Sequence, residues 1–457
     1  MKKHNILFIM TDQFRWDAMG CCGSGTKTPN LDYIASQGIR FSNCVTNSPV
    51  CVPARASLAL GQYPHNLNLW QNIDYTLPMD CNTWTRSVKS AGYRMCVVGK
   101  THLHPHSGDL REKEYLLNAY GFDDVDEIGG PRASAVILSH MTAEWEKQGL
   151  WEAYKEDYKQ RFATKPFVAR PSVLPLEYYS DVYVGKRAKR YLEGYNREQP
   201  LFMWLSFGGP HEPWDAPEPY ASMYKPDDMQ KPIKCFDFGD GRPKGRLDKL
   251  LENKRTDMTD DDVMGMRANY AGNVTLIDDQ IGEIIKLLKD RGEWDNTVIL
   301  FTSDHGEMNG DYGLIYKENF LNGSLRIPLL ISTPEMRAEG RGGVVSGALV
   351  ELMDIGPTLA EIAGNCLDYP QFGQSLCPLL QGNCASHRDF TLSEIHGEVC
   401  YMDASWKMAL NCDGVPYMLF NIRDEPSETA NIVSCPETAD IKCLLTGRLM
   451  KHILQLY

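Results

Sequence analysis

The sequence contains no long apolar segment. None of its hydrophobic runs approaches the roughly 20 residues that a helix needs to cross a bilayer. The N-terminal residues resemble a signal peptide at first sight, but the apolar run over residues 6–10 is too short, and no small-residue cleavage site follows it. We therefore expect no membrane partner and a cytoplasmic location, or a periplasmic or secreted one if the natural chain is longer at its N-terminus.

The sequence also has no regular cysteine pattern and no excess of basic residues. Its 14 cysteines form no Cys-x-x-Cys pair, which favours reduced thiols over disulfides in a chain of 457 residues. Lys and Arg number 47 against 60 Asp and Glu, so the formal net charge is -13. Such a balance argues against a nucleic-acid partner, which would require a basic surface. The oligomeric state is not predicted by any of these features.

The order of apolar runs indicates the fold class. Runs rich in β-forming residues, without polar alternation, are separated by segments with helical periodicity. The runs lie at 6–10, 95–98, 201–207, 297–302 and 327–332, and the helical segments at 28–37, 55–60, 181–193, 266–291 and 353–363. Because strands of this kind are buried on both faces, the order predicts an α/β fold with a mostly parallel central sheet flanked by helices.

The pattern changes after about residue 370. Short strands are predicted at 392–395, 405–410 and 417–422, followed by a terminal helix over 438–456. We predict a catalytic α/β domain over residues 1–370 and a smaller α+β domain over residues 371–457 that carries an antiparallel sheet.

Acidic residues and one imidazole follow two of the predicted strands. Asp12 and Gln13 follow the first strand, and Asp304 and His305 follow a later one. Ligands in open α/β sheets bind at the C-terminal ends of strands, so these side chains can converge on a divalent cation. The oxygen ligands favour Ca²⁺ or Mg²⁺, and the imidazole admits Mn²⁺. Taken alone, Asp12 is equally well explained as a turn or helix cap.

The most specific motif is Cys51-Val52-Pro53-Ala54-Arg55. By itself it is also compatible with a buried thiol before a helix that begins at the proline. Cys-x-Pro-x-Arg resembles the maturation motif of the sulfatase family, in which a maturation enzyme oxidises the cysteine to formylglycine. The hydrated aldehyde then attacks sulfur with one hydroxyl, and loss of a proton from the other expels sulfate. Val52 and Gln62 depart from the residues that the family usually has there.

Three further motifs carry charged side chains in the order that sulfatases have them. Gly99-Lys100-Thr101-His102 resembles the family's Gly-Lys-x-His, which implies that Lys100 binds sulfate and that His102 orients the formylglycine and accepts its proton. Pro210-His211 resembles the segment that supplies the general acid. Lys317 matches a sulfate-binding lysine near the leaving-group oxygen. Asn72 is a candidate sulfate donor, although a turn role explains it equally well.

Together these motifs resemble the sulfatase family of the alkaline phosphatase superfamily over nearly the whole chain. The resemblance implies an alkaline phosphatase-like fold and one divalent cation, Ca²⁺ before Mg²⁺ or Mn²⁺. The implied catalytic residues are Cys51, Arg55, Lys100, His102, His211 and Lys317, the implied substrate-binding residues Asn72, Lys100, His211 and Lys317, and the implied metal ligands Asp12, Gln13, Cys51, Asp304 and His305.

The residues that follow Asp12 and Asp304 indicate the nearest subfamilies. Many arylsulfatases have Asp-Asp and Asp-Asn where this chain has Asp12-Gln13 and Asp304-His305. The pattern here is similar to that of choline sulfatases, some glycan sulfatases and phosphonate monoester hydrolases. The substitution leaves open whether Gln13 binds the metal directly.

We therefore expect a sulfatase that acts on a small-molecule or carbohydrate sulfate ester. One alternative is a phosphonate monoester or phosphodiester hydrolase with the same nucleophile and metal, since both ester types are tetrahedral monoanions. Another is an inactive metal-binding protein in which Cys51 is never oxidised. The irregular segments 104–176 and 214–262, with residues near His396, are expected to form the substrate pocket, and their aromatic and acidic residues also suit a cationic group such as choline.

Overall fold

The computed structural model of the protein describes residues 3–165, 167–234, 241–254 and 257–455. These residues form an eight-stranded and a four-stranded sheet. The larger sheet consists of β1 (Asn5–Thr11), β2 (Ile39–Val45), β3 (Arg94–Gly99), β4 (Asp124–Glu127), β5 (Leu201–Ser206), β6 (Thr297–Ser303), β7 (Arg326–Ser332) and β8 (Val344–Glu351). The smaller sheet consists of β9 (Phe390–Ile395), β10 (Glu398–Asp403), β11 (Trp406–Leu410) and β12 (Pro416–Asn421).

The larger sheet is mostly parallel. Its strand order is β4-β3-β5-β1-β6-β7-β2-β8. β7 runs antiparallel to its neighbours β6 and β2, whereas the other paired strands of this sheet are parallel. Together with the separate antiparallel sheet, this arrangement confirms the predicted fold class. Because β1 lies between β5 and β6, the residues that follow β1 are surrounded by those that follow its neighbours.

Helices cover both faces of the larger sheet and fill the connections. The α-helices are α1 (Pro29–Ser36), α2 (Cys51–Leu60), α3 (Pro64–Leu67), α4 (Trp84–Ser90), α5 (Glu114–Ala119), α6 (Pro131–Ser134), α7 (His140–Lys147), α8 (Trp151–Thr164), α9 (Ser180–Gly194), α10 (Arg246–Glu252), α11 (Asp260–Asp290), α12 (Asn322–Leu325), α13 (Pro334–Ala338), α14 (Ile355–Ile362), α15 (Cys377–Leu380) and α16 (Ala439–Ile453). Within the described ranges, none of them is long and apolar enough to cross a membrane.

Short 3₁₀ turns complete the connections between these elements. They lie at Gly20–Cys22, Leu110–Lys113, Leu176–Tyr178, Pro226–Asp228, Trp294–Asn296, Asp311–Gly313, Leu352–Asp354 and Pro436–Thr438.

β1 shows why an unbroken apolar run makes a central strand. Side chains alternate between the two faces of a strand, so Leu7 and Ile9 enter one core while Ile6, Phe8 and Met10 enter the other. The first core is completed by residues of α1, α9 and α11, and the second by residues of α2, α4 and α14. Only a strand covered on both faces requires apolar residues at every position.

The smaller sheet is joined to the rest of the protein through both of its faces. On one face Ile395 and Phe420 share a core with Val50, which immediately precedes α2. On the other face Leu392 and Leu419 share a core with α16 and with residues that follow α2. The division of the chain into domains 1–370 and 371–457 therefore stays a prediction, because the small sheet and the larger domain share apolar contacts.

Several elements differ from the sequence prediction. The sequence prediction lacks β2, β4, β8 and β10. Polar residues interrupt β2, whereas β4 has only four residues and most of the first half of β8 is exposed. The predicted irregular segment 104–176 contains α5 to α8. α2 begins at Cys51, four residues before the predicted helix, so the candidate nucleophile occupies the helix N-terminus.

A buried carboxylate ties α1 to α11, and its removal is expected to destabilise the fold. Asp278 accepts hydrogen bonds from the backbone N–H of Asn30 at 3.1 Å and of Leu31 at 2.8 Å. Asp278→Ala would leave these donors unpaired, so we expect the free energy of unfolding in urea to fall by about 1–3 kcal/mol. The matched control is Asp279→Ala, which loses only a half-exposed bond from Tyr220. An equal loss in both variants would contradict this interpretation.

Candidate active site

Two carboxylates lie side by side at the C-terminal edge of the larger sheet. Asp12 follows β1 and Asp304 follows β6, and these parallel neighbours pair Thr11 with Ser303. Both aspartates are fully buried. Burial opposes ionisation of Asp12, but the nearby ammonium groups of Lys100 and Lys317 hold its pKa well below its usual range.

α2 brings a thiol to this pair of carboxylates. Cys51 Sγ lies 3.8 Å from Asp12 Oδ1 and 3.1 Å from His305 Nε2. One ligand atom from each of Asp12, Cys51, Asp304 and His305 lies within 4.8 Å of the others, and all four residues are buried. The sulfur stands where an oxygen of formylglycine would lie. Two carboxylates, an imidazole and such an oxygen form a donor set that suits a divalent cation.

Arg55 lies one helical turn after Cys51 and contacts the same carboxylates. Residues four apart share one face of a helix, so both side chains point from α2 towards the sheet edge. Arg55 Nε donates to Asp304 Oδ2 at 2.7 Å, and its Nη2 lies 3.8 Å from Asp12 Oδ2. The guanidinium is fully buried. Its positive charge therefore balances the negative charges of both aspartates.

Two lysines provide further positive charge. Lys100 Nζ donates to the Asp12 carboxylate, and Lys317 Nζ lies 3.4 Å from Cys51 Sγ. Burial alone would raise the pKa of the Cys51 thiol, but the two lysines and His305 hold it well below its usual range. An anionic group at residue 51 is therefore stabilised by its surroundings.

Gly99 allows Lys100 to reach the site. Its φ is +109°, and a Cβ at this position would lie 1.8 Å from the backbone oxygen of Ser206 in the neighbouring strand. Only glycine fits such a close approach. The glycine of the Gly-Lys-x-His motif is thus required by the packing of β3 against β5.

His102 lies beside the thiol in a strained backbone conformation. Its φ is +58°, which a residue with a side chain rarely adopts. Burial and the charge of Lys100 lower the pKa of His102 to about 3, although a hydrogen bond with Cys51 acts in the opposite direction. The imidazole is therefore neutral at pH 7.

His211 lies at the rim of the site. Its Nδ1 is 2.8 Å from the backbone oxygen of Glu212 and 3.2 Å from that residue's carboxylate, and 11% of its side chain is exposed. When Nδ1–H donates to these oxygens, the other ring nitrogen, Nε2, is left to contact a substrate.

Gln13 is held by three charged side chains. Its Oε1 accepts from Lys317 Nζ at 2.6 Å, and its Nε2 donates to Glu212 at 2.9 Å and to Glu307. The backbone at Gln13 is left-handed, with φ of +70°. The amide thus positions Lys317 next to Cys51, and direct binding of a metal by Gln13 stays a prediction.

Glu307 and Glu212 are site residues absent from the sequence prediction. Glu307 is fully buried and accepts from the backbone N–H of Asn309 and Tyr316. Burial and the charge of Glu212 raise the pKa of Glu307 to about 7. Glu212 directly follows His211, and Glu307 lies two residues after His305, but the sequence gives no sign that the Gln13 amide bonds to both glutamates.

Asn72 lies at the N-terminus of α2. Its Oδ1 accepts from the backbone N–H of Val52 at 2.9 Å, which is the geometry of a side chain that satisfies a free helix donor. Asn72 therefore contacts the residue that follows the nucleophile, and its side-chain oxygen is hydrogen-bonded to the first turn of α2.

Comparison with known proteins identifies relatives along nearly the whole chain. The sulfatase family profile matches residues 4–365. A multifunctional alkaline phosphatase superfamily protein of Trinickia caryophylli is 28% identical, over 96% of this chain and 93% of its own. An arylsulfatase of Clostridium perfringens is 27% identical, over 99% and 94%, and a choline-sulfatase of Rhizobium meliloti 28%, over 97% and 85%.

Solved structures share the fold. A phosphonate monoester hydrolase of Silicibacter pomeroyi superposes with a TM-score of 0.79 at 24% identity, over 100% of this chain and 96% of its own. A protein solved with its substrate D-glucosamine-2-N,6-O-disulfate superposes with a TM-score of 0.76 at 21% identity, over 100% and 98%. At these identities the likeness establishes the architecture.

The buried charge of Arg55 is expected to be essential for stability. Arg55→Met would leave two buried carboxylates without their main partner, so in metal-free buffer we expect a loss of about 3–5 kcal/mol in the free energy of unfolding. Arg94→Met is the matched control, because it removes a guanidinium from a partly exposed pair with Asp124. That variant should lose about 1 kcal/mol or less in the same urea titration. Equal losses would show that burial of the aspartates is not costly.

Proposed function

The chain belongs to the sulfatase family, and on that premise we propose that it hydrolyses a sulfate ester with a formylglycine made from Cys51 and one divalent cation. The observation that carries the proposal is the buried group of Asp12, Cys51, Asp304 and His305. Catalysis of this kind requires a nucleophile, an electrophilic centre and positive charge at one point, and this edge of the sheet holds the residues for all three.

Asp12, Asp304, His305 and residue 51 would hold the cation, and Gln13 would complete the set if its amide turned from Lys317. When bound, the cation would act as a Lewis acid on sulfate and on the hydroxyl of residue 51. Oxygen-rich ligands favour Ca²⁺, with Mg²⁺ or Mn²⁺ as alternatives. Oxidation of Cys51 requires a maturation enzyme as a partner of the newly made chain.

Lys317 and Lys100 would bind the sulfate group. The ammonium group of Lys317 contacts the Cys51 thiol, and that of Lys100 contacts the Asp12 carboxylate. The sulfate oxygens would lie around these atoms. Developing negative charge is best stabilised by groups that are already oriented, because no reorganisation is then needed during the reaction. Gln13 keeps Lys317 in that position.

His102 and His211 would move protons in different steps of the reaction. His102 has a hydrogen bond with residue 51, so it is placed to take the proton of the remaining hydroxyl when the C–O bond to sulfate breaks and the aldehyde re-forms. His211 has its Nδ1 bonded to Glu212, which leaves Nε2 to donate to the departing alkoxide. Asn72 supports the site by capping the helix that begins with the nucleophile.

We propose a sulfated carbohydrate as the substrate. Three partly exposed polar side chains meet next to Lys317 in the chain: Glu318 follows it directly, pairs with Arg246 and lies 3.8 Å from His396. The side chains of these three residues are 20–34% exposed. Donors and acceptors at such spacing suit sugar hydroxyls, whereas the positive charge of Arg246 disfavours a quaternary ammonium group. We also propose the two-domain division at about residue 370, with the smaller domain supplying His396.

A phosphonate monoester or phosphodiester hydrolase is the second candidate. It is favoured by the fold of phosphonate monoester hydrolases, whose superposition covers the whole chain. Such an enzyme would use the same residues, because a phosphonate monoester has the same shape and charge as a sulfate monoester.

The first test is anion release from a matched panel of esters. The panel holds an aryl sulfate, choline sulfate, sulfated monosaccharides, a phosphonate monoester and a phosphodiester, and the protein is co-expressed with a maturation enzyme. We expect sulfate release, fastest from a sugar, that Cys51→Ala and a chelator each reduce by more than about 10³-fold. Turnover of the phosphorus esters alone would favour the second candidate. Undiminished release by Cys51→Ala would contradict the nucleophile.

The second test concerns His211 and the leaving group. A general acid matters most when the departing alkoxide is a strong base, so His211→Ala should lower kcat/KM for a sugar sulfate by about 10²–10⁴-fold. The same variant should lower kcat/KM for nitrophenyl sulfate by less than about tenfold, because nitrophenolate departs without protonation. His4→Ala is the matched control, because His4 precedes β1 at the opposite edge of the sheet and pairs with Glu335 there. Equal losses for both esters would assign His211 to binding rather than to proton transfer.

A further inference from the structure

A second cluster of buried titratable groups lies behind the proposed proton acceptor. β3 and β4 are parallel neighbours that pair Gly99 with Glu127, so the carboxylate of Glu127 lies beside the loop that begins with Lys100. We call residues 100–106 the histidine loop, since it contains His102, His104 and His106. The catalytic roles proposed above involve only the first of these histidines.

Glu127 binds three side chains of the histidine loop at once. It accepts from the Thr101 hydroxyl and lies 2.7 Å from His104 Nε2 and 3.1 Å from His106 Nε2. Only 3% of Glu127 is exposed. A buried carboxylate is stable only when it is paired, and here the three partners belong to the histidine loop.

The hydrogen bonds fix the protonation of the two outer histidines. Both ring nitrogens of His104 face acceptors, the Glu127 carboxylate and the backbone oxygen of Pro105, so both carry protons and the ring is a cation. His106 donates its Nε2–H to Glu127, because an ionised carboxylate only accepts. The loop is therefore anchored by a charged pair with His104 and by two further directed bonds, from Thr101 and His106.

His106 in turn supports His102. The two rings are stacked, with centroids 4.6 Å apart and planes inclined by 24°. His102 Nδ1 is buried and has no hydrogen-bond partner among the described residues. Its backbone is also left-handed, a conformation that persists only when the surroundings enforce it. The orientation of this imidazole thus depends on the stack with His106 and on the contact with Cys51.

We propose that Glu127 and His106 are positioning residues that hold the His102 imidazole against residue 51. The inference rests on the proposed role of His102 as proton acceptor. A base accepts a proton efficiently only when its lone pair points at the donor, and a small misplacement lowers turnover by one or two orders of magnitude. Neither positioning residue needs to touch the substrate, so binding of the ester should be independent of both.

The experiment compares steady-state kinetics of variants on the ester that the wild type hydrolyses best. Glu127→Gln and His106→Ala should each lower kcat roughly tenfold to hundredfold while KM stays within about twofold. His106→Phe, which keeps a ring for the stack, should recover kcat to within about threefold of wild type. This rescue separates positioning from a general loss of folding.

Glu394→Gln is the matched control. Glu394 is also a buried carboxylate paired with an imidazole, that of His65 at 2.6 Å, but it lies in β9 outside the histidine loop. It should lower the melting temperature about as much as Glu127→Gln and leave kcat within about twofold of wild type. The proposal would be overturned by an equal loss of kcat in this control, or by unchanged kcat in both Glu127→Gln and His106→Ala.

A spectroscopic readout keeps the proposal testable without turnover. In ¹⁵N-histidine spectra, His102 should show one fixed tautomer in the wild type and averaged ring signals in Glu127→Gln and His106→Ala. Unchanged His102 signals in both variants would overturn the proposal. If the wild type releases no anion from any ester, the proposed function fails. The spectra still decide whether Glu127 and His106 fix the orientation of the His102 imidazole.

Discussion

The burial of two aspartates side by side is the constraint on which the rest of the site depends. Asp12 and Asp304 follow paired central strands and are inaccessible to water. Ionised carboxylates in such a place are unstable unless cations neutralise them. Arg55 supplies the nearest guanidinium, and because it lies four residues after Cys51 on α2, docking it onto the aspartates also delivers the thiol. The spacing of the Cys-x-Pro-x-Arg motif therefore has a structural reason besides recognition by a maturation enzyme.

The positive side chains around Cys51 are positioned in turn by neutral or acidic partners. Gln13 tethers Lys317, and Glu127 anchors the loop that follows Lys100. Each of these partners is buried, so moving one of them leaves a charge unpaired unless another group, such as a bound cation, takes its place. The charges are thus oriented before a substrate arrives, which is the condition for strong electrostatic stabilisation of a transition state.

Particular residues show how far the sequence could lead. The continuous apolar runs of β1, β3, β5, β6 and β7 predicted the parallel sheet, because only strands covered on both faces have such a composition. β2 and β4 were not recognisable, since Arg40, Ser42 and Asn43 interrupt the apolar run of β2 and three of the four residues of β4 are acidic. The helix 55–60 was predicted too short because its first residues carry the motif rather than a periodic pattern. The sequence assigned Asn72 equally to sulfate or to a turn; its oxygen accepts from Val52, and a donor role of its amide nitrogen towards sulfate stays a prediction.

The sequence by itself determined the family, the fold class and most of the residues that meet in the site, but not Glu212 and Glu307. These are encoded locally, in the composition of strands and in motifs that follow them. Only the tertiary structure decided the contacts between those residues, including the bonds of Gln13 to Glu212, Glu307 and Lys317 and those of Glu127 to the histidine loop. The physical reason is that burial and pairing of charges depend on the relative placement of distant segments, which the register and order of the strands determine.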